Sequence, residues 1–349
     1  MTVNQAAEPT IAPNPRAYLT RIDPSGENYE DEIDKGLDYI RFGDGLPTSP
    51  RVFLKPNLTY PTYRPGVMTS IGAIEAAIKA LVKRSARITI GDADSGGYNP
   101  FSMDEVYKAT GIAAFANKHG VKVVNLSRVE RTAIRVTTHG RYLDLDLPKL
   151  LLDEIDTLIT MPVPKVHSNT GVSLTFKNQW GCIPEPDDRL RLHPYFAPVI
   201  MDVNRHVHAR YAIIDGRVGL NRSGPMMGEA VHLGWICVTN DLGAGARIAC
   251  HLMQVNPAEV PHLHYAEKMG LLPALEDIDI SGDVRQFVGP KFRLQRQFTD
   301  WPGYLAFHHS AIAHLAYFSR LAGFLHWALY LIRKPMYDYS ISTKNRVRH

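Results

Sequence analysis

The sequence predicts an α/β protein, a mostly parallel sheet flanked by helices, with a separate helical C-terminal segment. Three observations lead there. Short apolar runs alternate with amphipathic helical stretches, the rhythm of βαβ units with parallel strands and right-handed crossovers. Polar residues gather just after the apolar runs, where ligand crevices form in such sheets. From Tyr304 to Ile332 the rhythm gives way to a stretch rich in Leu, Ala and aromatic residues.

Taken in order, Arg51-Val-Phe-Leu54 reads as a buried strand that feeds Lys55-Pro-Asn57. Thr69 to Lys83 places Ile71, Ile74, Ala77, Ile78 and Leu81 at helical spacing. Arg87-Ile-Thr-Ile90 is the next strand and runs into Gly91-Asp-Ala-Asp-Ser-Gly-Gly97. Ser102 to His119 reads as one or two helices broken near Gly111, and Val121 to Asn125 as a strand. Thr157 to Met161, Tyr211 to Ile214 and Leu233 to Thr239 complete the strands, and Leu242 to Gln254 looks helical. Residues 1–16 read as a poorly ordered start within a lead-in of 1–45. Residues 46–285 then form the α/β domain, and 286–349 a basic, apolar helical segment.

Composition narrows the class. With 349 residues, 45% of them hydrophobic and 21% charged, the chain is an ordinary globular protein able to bury a large core without staples. Cys182, Cys237 and Cys250 form no C-x-x-C pair, which argues against an iron–sulfur cluster within this chain and fits a reducing, cytoplasmic setting. Met1 to Glu8 has neither the basic start nor the apolar run of a signal peptide. The net charge of +4 is unevenly placed, because Arg285 to His349 carries ten Lys/Arg against two Asp/Glu. That balance bears on partners, and no nucleic acid is expected among them.

The chemistry concentrates in three places. Met161 to Gly181 holds Lys165, His167, Thr175, Lys177 and Asn178 among apolar residues. Lysines there supply charge for a carboxylate or phosphate, or act as bases if burial lowers their pKa, and His167 can move a proton near neutral pH. Gly91 to Asn99 offers Asp92 and Asp94 as oxygen ligands for a divalent cation, or its glycines as backbone room for an anion. It is neither a Walker loop nor G-x-G-x-x-G, and a tight turn explains it equally well. Lys55, Asn57 and Asp215 follow strands as well, although each also reads as plain turn chemistry. Asp202, Asn204, His206 and His208 alternate; they would gather on a strand and diverge on a helix. No G-x-S-x-G elbow occurs, so a Ser-His-Asp triad has no support.

Together these segments resemble the domain of unknown function 362 (DUF362) family. The resemblance rests on Phe53-Leu-Lys-Pro-Asn-Leu58, Ile90-Gly-Asp92, Pro164-Lys-Val-His167, Leu174-Thr-Phe-Lys-Asn178 with Gly181, His193, Ile214-Asp-Gly216, Gly224-Pro225 with Gly228, and Thr239-Asn-Asp241. These keep the family's order over roughly residues 50 to 272. It implies an α/β fold and a site that includes Lys55, Asn57, Lys165, His167, Lys177 and Asn178, with His193 among the matching residues. Many members carry a cysteine-rich, ferredoxin-like segment that this chain lacks, since no cysteine follows Cys250.

Three functions compete. The first is an enzyme binding a small anionic metabolite, with Lys55, Lys165 and Lys177 as clamp and His167 as acid/base. The second is a redox protein with a bound cofactor or external partner. The third is a non-catalytic ligand-binding or membrane-docked assembly protein. For residues 304–348 the partner is either an anionic membrane face, met peripherally, or a second subunit, because the charge-free piece that closes the apolar stretch, Leu321 to Ile332, has only 12 residues.

Overall fold

A computed structural model describes residues 12–95, 101–138 and 140–332. Its strands are β1 (Arg16–Arg21), β2 (Arg51–Pro56), β3 (Arg87–Asp92) and β4 (Lys122–Asn125). A hairpin of β5 (Arg131–Thr138) and β6 (Arg141–Pro148) follows, then β7 (Thr157–Met161), β8 (Lys165–His167) and β9 (Gly171–Ser173). Two long strands, β10 (Ala209–Asn221) and β11 (Glu229–Thr239), and the short β12 (Asp279–Ser281) complete the set. The main sheet runs β12-β1-β11-β10-β7-β2-β3-β4, with β8 attached to β10 and β9 to β8. From β10 to β4 every neighbour is parallel; β11 is antiparallel to both β10 and β1.

The apolar runs become central strands because successive side chains bury on opposite faces. Val52 and Leu54 enter one core while Phe53 enters the other, and Ile159 and Leu158 divide the same way. On the first face lie helices Tyr29–Tyr39, Ile71–Lys83 and Met103–Ala109, through Leu37, Ile74 and Val106. The second is covered by Phe196–His206 and Leu242–Leu252, through Val199 and Ile248. The expected helix break falls at Gly111, which starts a second helix, Ile112–Lys118.

The sequence reading of 1–45 as a lead-in needs correction. β1 pairs with β11 across five registered residues, so this segment is part of the sheet. The helix behind it sits so close that a Cβ on Gly36 would lie 2.7 Å from a Val238 methyl. Tyr29 Oη donates to the Asp215 carboxylate at 2.5 Å, and Ser70 N–H donates to its other oxygen at 2.7 Å. These are long-range contacts, and a short, half-polar strand carries no local sign of them. Residues 1–11 lie outside the described residues. The alternating polar run from Asp202 falls mostly on a helix, where His206 turns its Nδ1 toward Asp202 O at 2.8 Å, so the run forms no shared ligand face.

Beyond Gln297 the chain forms helices Trp301–His308 and Ser310–Ala313, a wide turn at His314–Phe318, and helix Ala322–Tyr330. None of the described helices is long and apolar enough to cross a membrane.

Tyr29→Phe tests the N-terminal correction. Removing the hydroxyl takes a donor from a buried carboxylate, and the expected loss is about 1–3 kcal/mol of unfolding free energy. Urea denaturation reads it; an unchanged midpoint would mean that the segment is not energetically part of the fold.

Candidate functional site

The parallel strands end at one edge of the sheet, and a cavity of about 190 Å³ lies there. Lys55, Asn57, Asp92, Lys165, His167, Lys177 and Asn178 all line it, brought from β2, β3, β8 and the short helix Thr175–Asn178. That volume suits a small metabolite and is below the usual range for drug-sized ligands.

The centre of the site is a buried ion pair. Lys55 Nζ lies 2.7 Å from Asp92 Oδ1, with the side chains 1% and 6% exposed. Asp92 also accepts from Ala93 N–H at 2.9 Å and Leu58 N–H at 3.4 Å, while Lys55 Nζ donates to Pro56 O at 3.0 Å. Burial raises the Asp92 pKa, and the Lys55 charge opposes the rise. Gly181 explains how the pair fits: a Cβ there would stand 2.5 Å from Asp92 Oδ1 and 3.0 Å from Lys55 Nζ.

Around the pair, neutral groups fix the backbone. Asn178 Nδ2 donates to Lys55 O at 3.0 Å and to Thr160 Oγ1 at 2.8 Å, which ties the short helix to two strand ends. Asn57 Nδ2 donates to Val67 O at 2.8 Å. Lys165 Nζ donates to the same carbonyl at 2.9 Å. Thus a neutral oxygen holds the Lys165 ammonium.

That imbalance sets the electrostatics. Burial pushes Lys165 down to about 7, with repulsion from Lys177 and Lys55 only partly offset by Asp92. Lys177 is pushed to about 7 as well, by burial and then by Arg189 and Lys55. His167 is held well below the ordinary imidazole range by burial and the two lysines, so it is neutral. Its Nδ1 accepts from Asn169 N–H at 3.2 Å, which leaves Nε2 as the proton-bearing nitrogen. Among the described residues, four cationic side chains therefore line one cavity with a single carboxylate, that of Asp92. Such a site carries an excess of positive charge, with two of its lysines shifted toward neutrality.

Four residues singled out from the sequence lie elsewhere. Asp94 Oδ1 accepts from Met103 N–H at 2.6 Å and Asn125 Nδ2 at 2.9 Å, so it serves the following helix. With Asp92 on Lys55, the two aspartates offer no shared oxygen set, and among the described residues no group of three His, Cys, Asp or Glu could hold a metal ion. Thr175 donates its hydroxyl to Leu242 O at 2.7 Å, and Asp215 belongs to the Tyr29 network. His193 lies behind the cavity wall, stacked 6.0 Å from Trp180 and tilted against Phe307 at 4.7 Å. Arg189, Trp180 and Met226 line the cavity without having been anticipated. Arg189 sits in Pro186-Asp-Asp-Arg-Leu-Arg-Leu192, which reads as a solvated helix; that its side chain turns inward is a tertiary fact.

Residues 52–251 match the family described as domain of unknown function (DUF362). The chain belongs to the DUF362 family. A thylakoid-associated protein of Synechocystis is 23% identical over 248 residues, 68% of this DUF362 chain and 73% of the relative. Among solved structures, the lactate racemase apoprotein of Thermoanaerobacterium thermosaccharolyticum is 14% identical at a TM-score of 0.45, covering 69% of this chain and 57% of that one. A Thermotoga maritima protein is 16% identical at a TM-score of 0.38, covering 59% and 54%. The chain thus spans little more than half the length of either solved protein.

Two predictions follow from the charges. Lys55→Met leaves Asp92 buried and unpaired, so it should lose about 3–5 kcal/mol, measured by chemical denaturation. Lys165→Met should do the reverse in the ligand-free protein. From about 7 to the ordinary lysine value of 10.5, the unfolded chain holds a proton that the folded chain has released. Stability therefore rises with pH across that window. Thermal melts should show a flatter pH profile in Lys165→Met, with a melting temperature at or above the wild type below about pH 7; an unaltered profile would put the lysine outside this account.

Proposed function

We propose that this protein binds a small carboxylate or phosphate at the carboxyl edge of the sheet and moves a proton on it. One observation carries the reading: Lys165 and Lys177, both pushed to about 7, share a cavity with Lys55 and Arg189. An anion entering there supplies the missing countercharge and raises both lysine pKa values. One lysine, neutral in part of the population, serves as base while its protonated neighbours hold the anion. Neutral His167 donates a hydrogen bond from Nε2 and adds no charge.

The expected pH dependence has a definite sign. Binding favours the protonated lysines, so affinity is full below about pH 7 and falls as pH rises through that value, by up to about tenfold per unit for each lysine engaged. Lys177→Met should weaken binding by about 1–3 kcal/mol and remove one proton from the dependence. Calorimetry with orthophosphate and a series of short carboxylates, run on either side of neutrality, measures both. Affinity that is flat with pH, together with wild-type binding by Lys177→Met, would reject the proposal. Solvent-deuterium exchange into a bound carboxylate tests the proton transfer separately; tight binding without exchange in any ligand would reduce the protein to a carrier.

A further inference from the structure

We infer that the outer face of residues 298–332 docks on an anionic lipid surface. From Trp301 to Ile332 the only Asp, Glu, Lys or Arg is Arg320. In the last helix the apolar stripe points the wrong way for a core. Leu321, Phe324, Leu325, Leu331 and Ile332 recur at helical spacing, and with Trp327 they are 38–68% exposed. The inward side is small and already engaged. Ala322 is buried, and His326 Nε2 lies 3.1 Å from Ala316 O with its ring 5.8 Å from Tyr317.

Elsewhere among the described residues, exposed large apolar side chains stand scattered, as at Val82, Tyr142 and Met269. Scattered exposure is ordinary, whereas a contiguous apolar face marks an interaction surface.

Length and charge decide the occupant. Helix Ala322–Tyr330 has nine residues, about 14 Å at about 1.5 Å per residue, against about 30 Å of hydrocarbon. His309 and Ser319 are extended and interrupt the helices on either side of them, so the face lies along a surface and does not cross one. Trp327 and Tyr330 suit the headgroup level. The sequence then continues with Arg333, Lys334, Lys344, Arg346 and Arg348 against the single acid Asp338. Anionic lipid complements that charge, while a second copy of the segment would set like charges together.

Vesicle flotation of the full chain tests this. The protein should float with vesicles of mixed phosphatidylcholine and phosphatidylglycerol, much less with phosphatidylcholine alone, and less as salt rises. The double variants Phe324→Asp/Trp327→Asp and Leu331→Asp/Ile332→Asp alter exposed side chains and should each lose flotation while keeping the wild-type melting temperature. Tyr142→Asp, on the hairpin, should float as wild type. Absence of flotation at low salt, equal flotation with neutral vesicles, or flotation undiminished in both double variants overturns the inference. So does a dimer in light scattering that these variants dissociate without any lipid binding, which would assign the face to a second copy.

Discussion

The ion pair of Lys55 and Asp92 is the constraint around which the rest of the edge is arranged. It joins the ends of two adjacent parallel strands, and its members also take backbone partners at Pro56, Leu58 and Ala93. Removing two charges from water is costly, and their attraction repays it only when the remaining hydrogen-bonding capacity is met. Those backbone partners supply that capacity. The bare Cα of Gly181 lets the segment after the short helix close over the pair, and Asn178 ties that segment to the Lys55 carbonyl. Loops that would otherwise be independent are thereby held in one geometry.

A second consequence concerns charge. Once Asp92 is committed to Lys55, Lys165 and Lys177 pair with no carboxylate among the described residues. Lys165 has the carbonyl of Val67, and Lys177 lies 5.9 Å from the centre of the Phe196 ring. Burial and repulsion from neighbouring cations then outweigh the partial compensation that Asp92 gives Lys165, and both lysines are pushed to about 7. A fold retains such uncompensated charge when the surrounding structure is stable enough to impose it, and sites of this kind are where local rules are broken for function.

The C-terminal segment is joined to this edge and is not a free appendage. Phe307 packs on His193 and Phe196, whose rings back the Trp180 wall of the cavity, and Arg296 donates to Ser168 O at 2.7 Å, one residue past His167. Its inner side is therefore fixed to the site while its outer side stays apolar and uncovered. The two halves of one short segment obey opposite burial rules.

The sequence by itself determined the fold class, most of the central strands, and the seven residues that meet at the strand ends. Lys55, Asn57, Asp92, Lys165 and His167 were legible because a parallel sheet forces whatever follows its strands to one edge, and Lys177 and Asn178 because they stand in the donor-rich run from Met161 to Gly181 that resembles the family. It also announced the apolar, basic tail. Tertiary structure alone decided which of these groups neutralise one another. Asp92 and Asp94 look equivalent in Gly91-Asp-Ala-Asp94, yet one pairs with a lysine from another strand and the other accepts the first N–H of a helix. Arg189 enters the cavity, Asp215 is drawn to Tyr29, and residues 16–39 join the sheet and its helical layer. Each of these outcomes depends on contacts between residues distant in the chain, and local periodicity carries no information about them. The lysine pKa values belong to the same class, because they follow from burial and from neighbours that only the folded chain brings together.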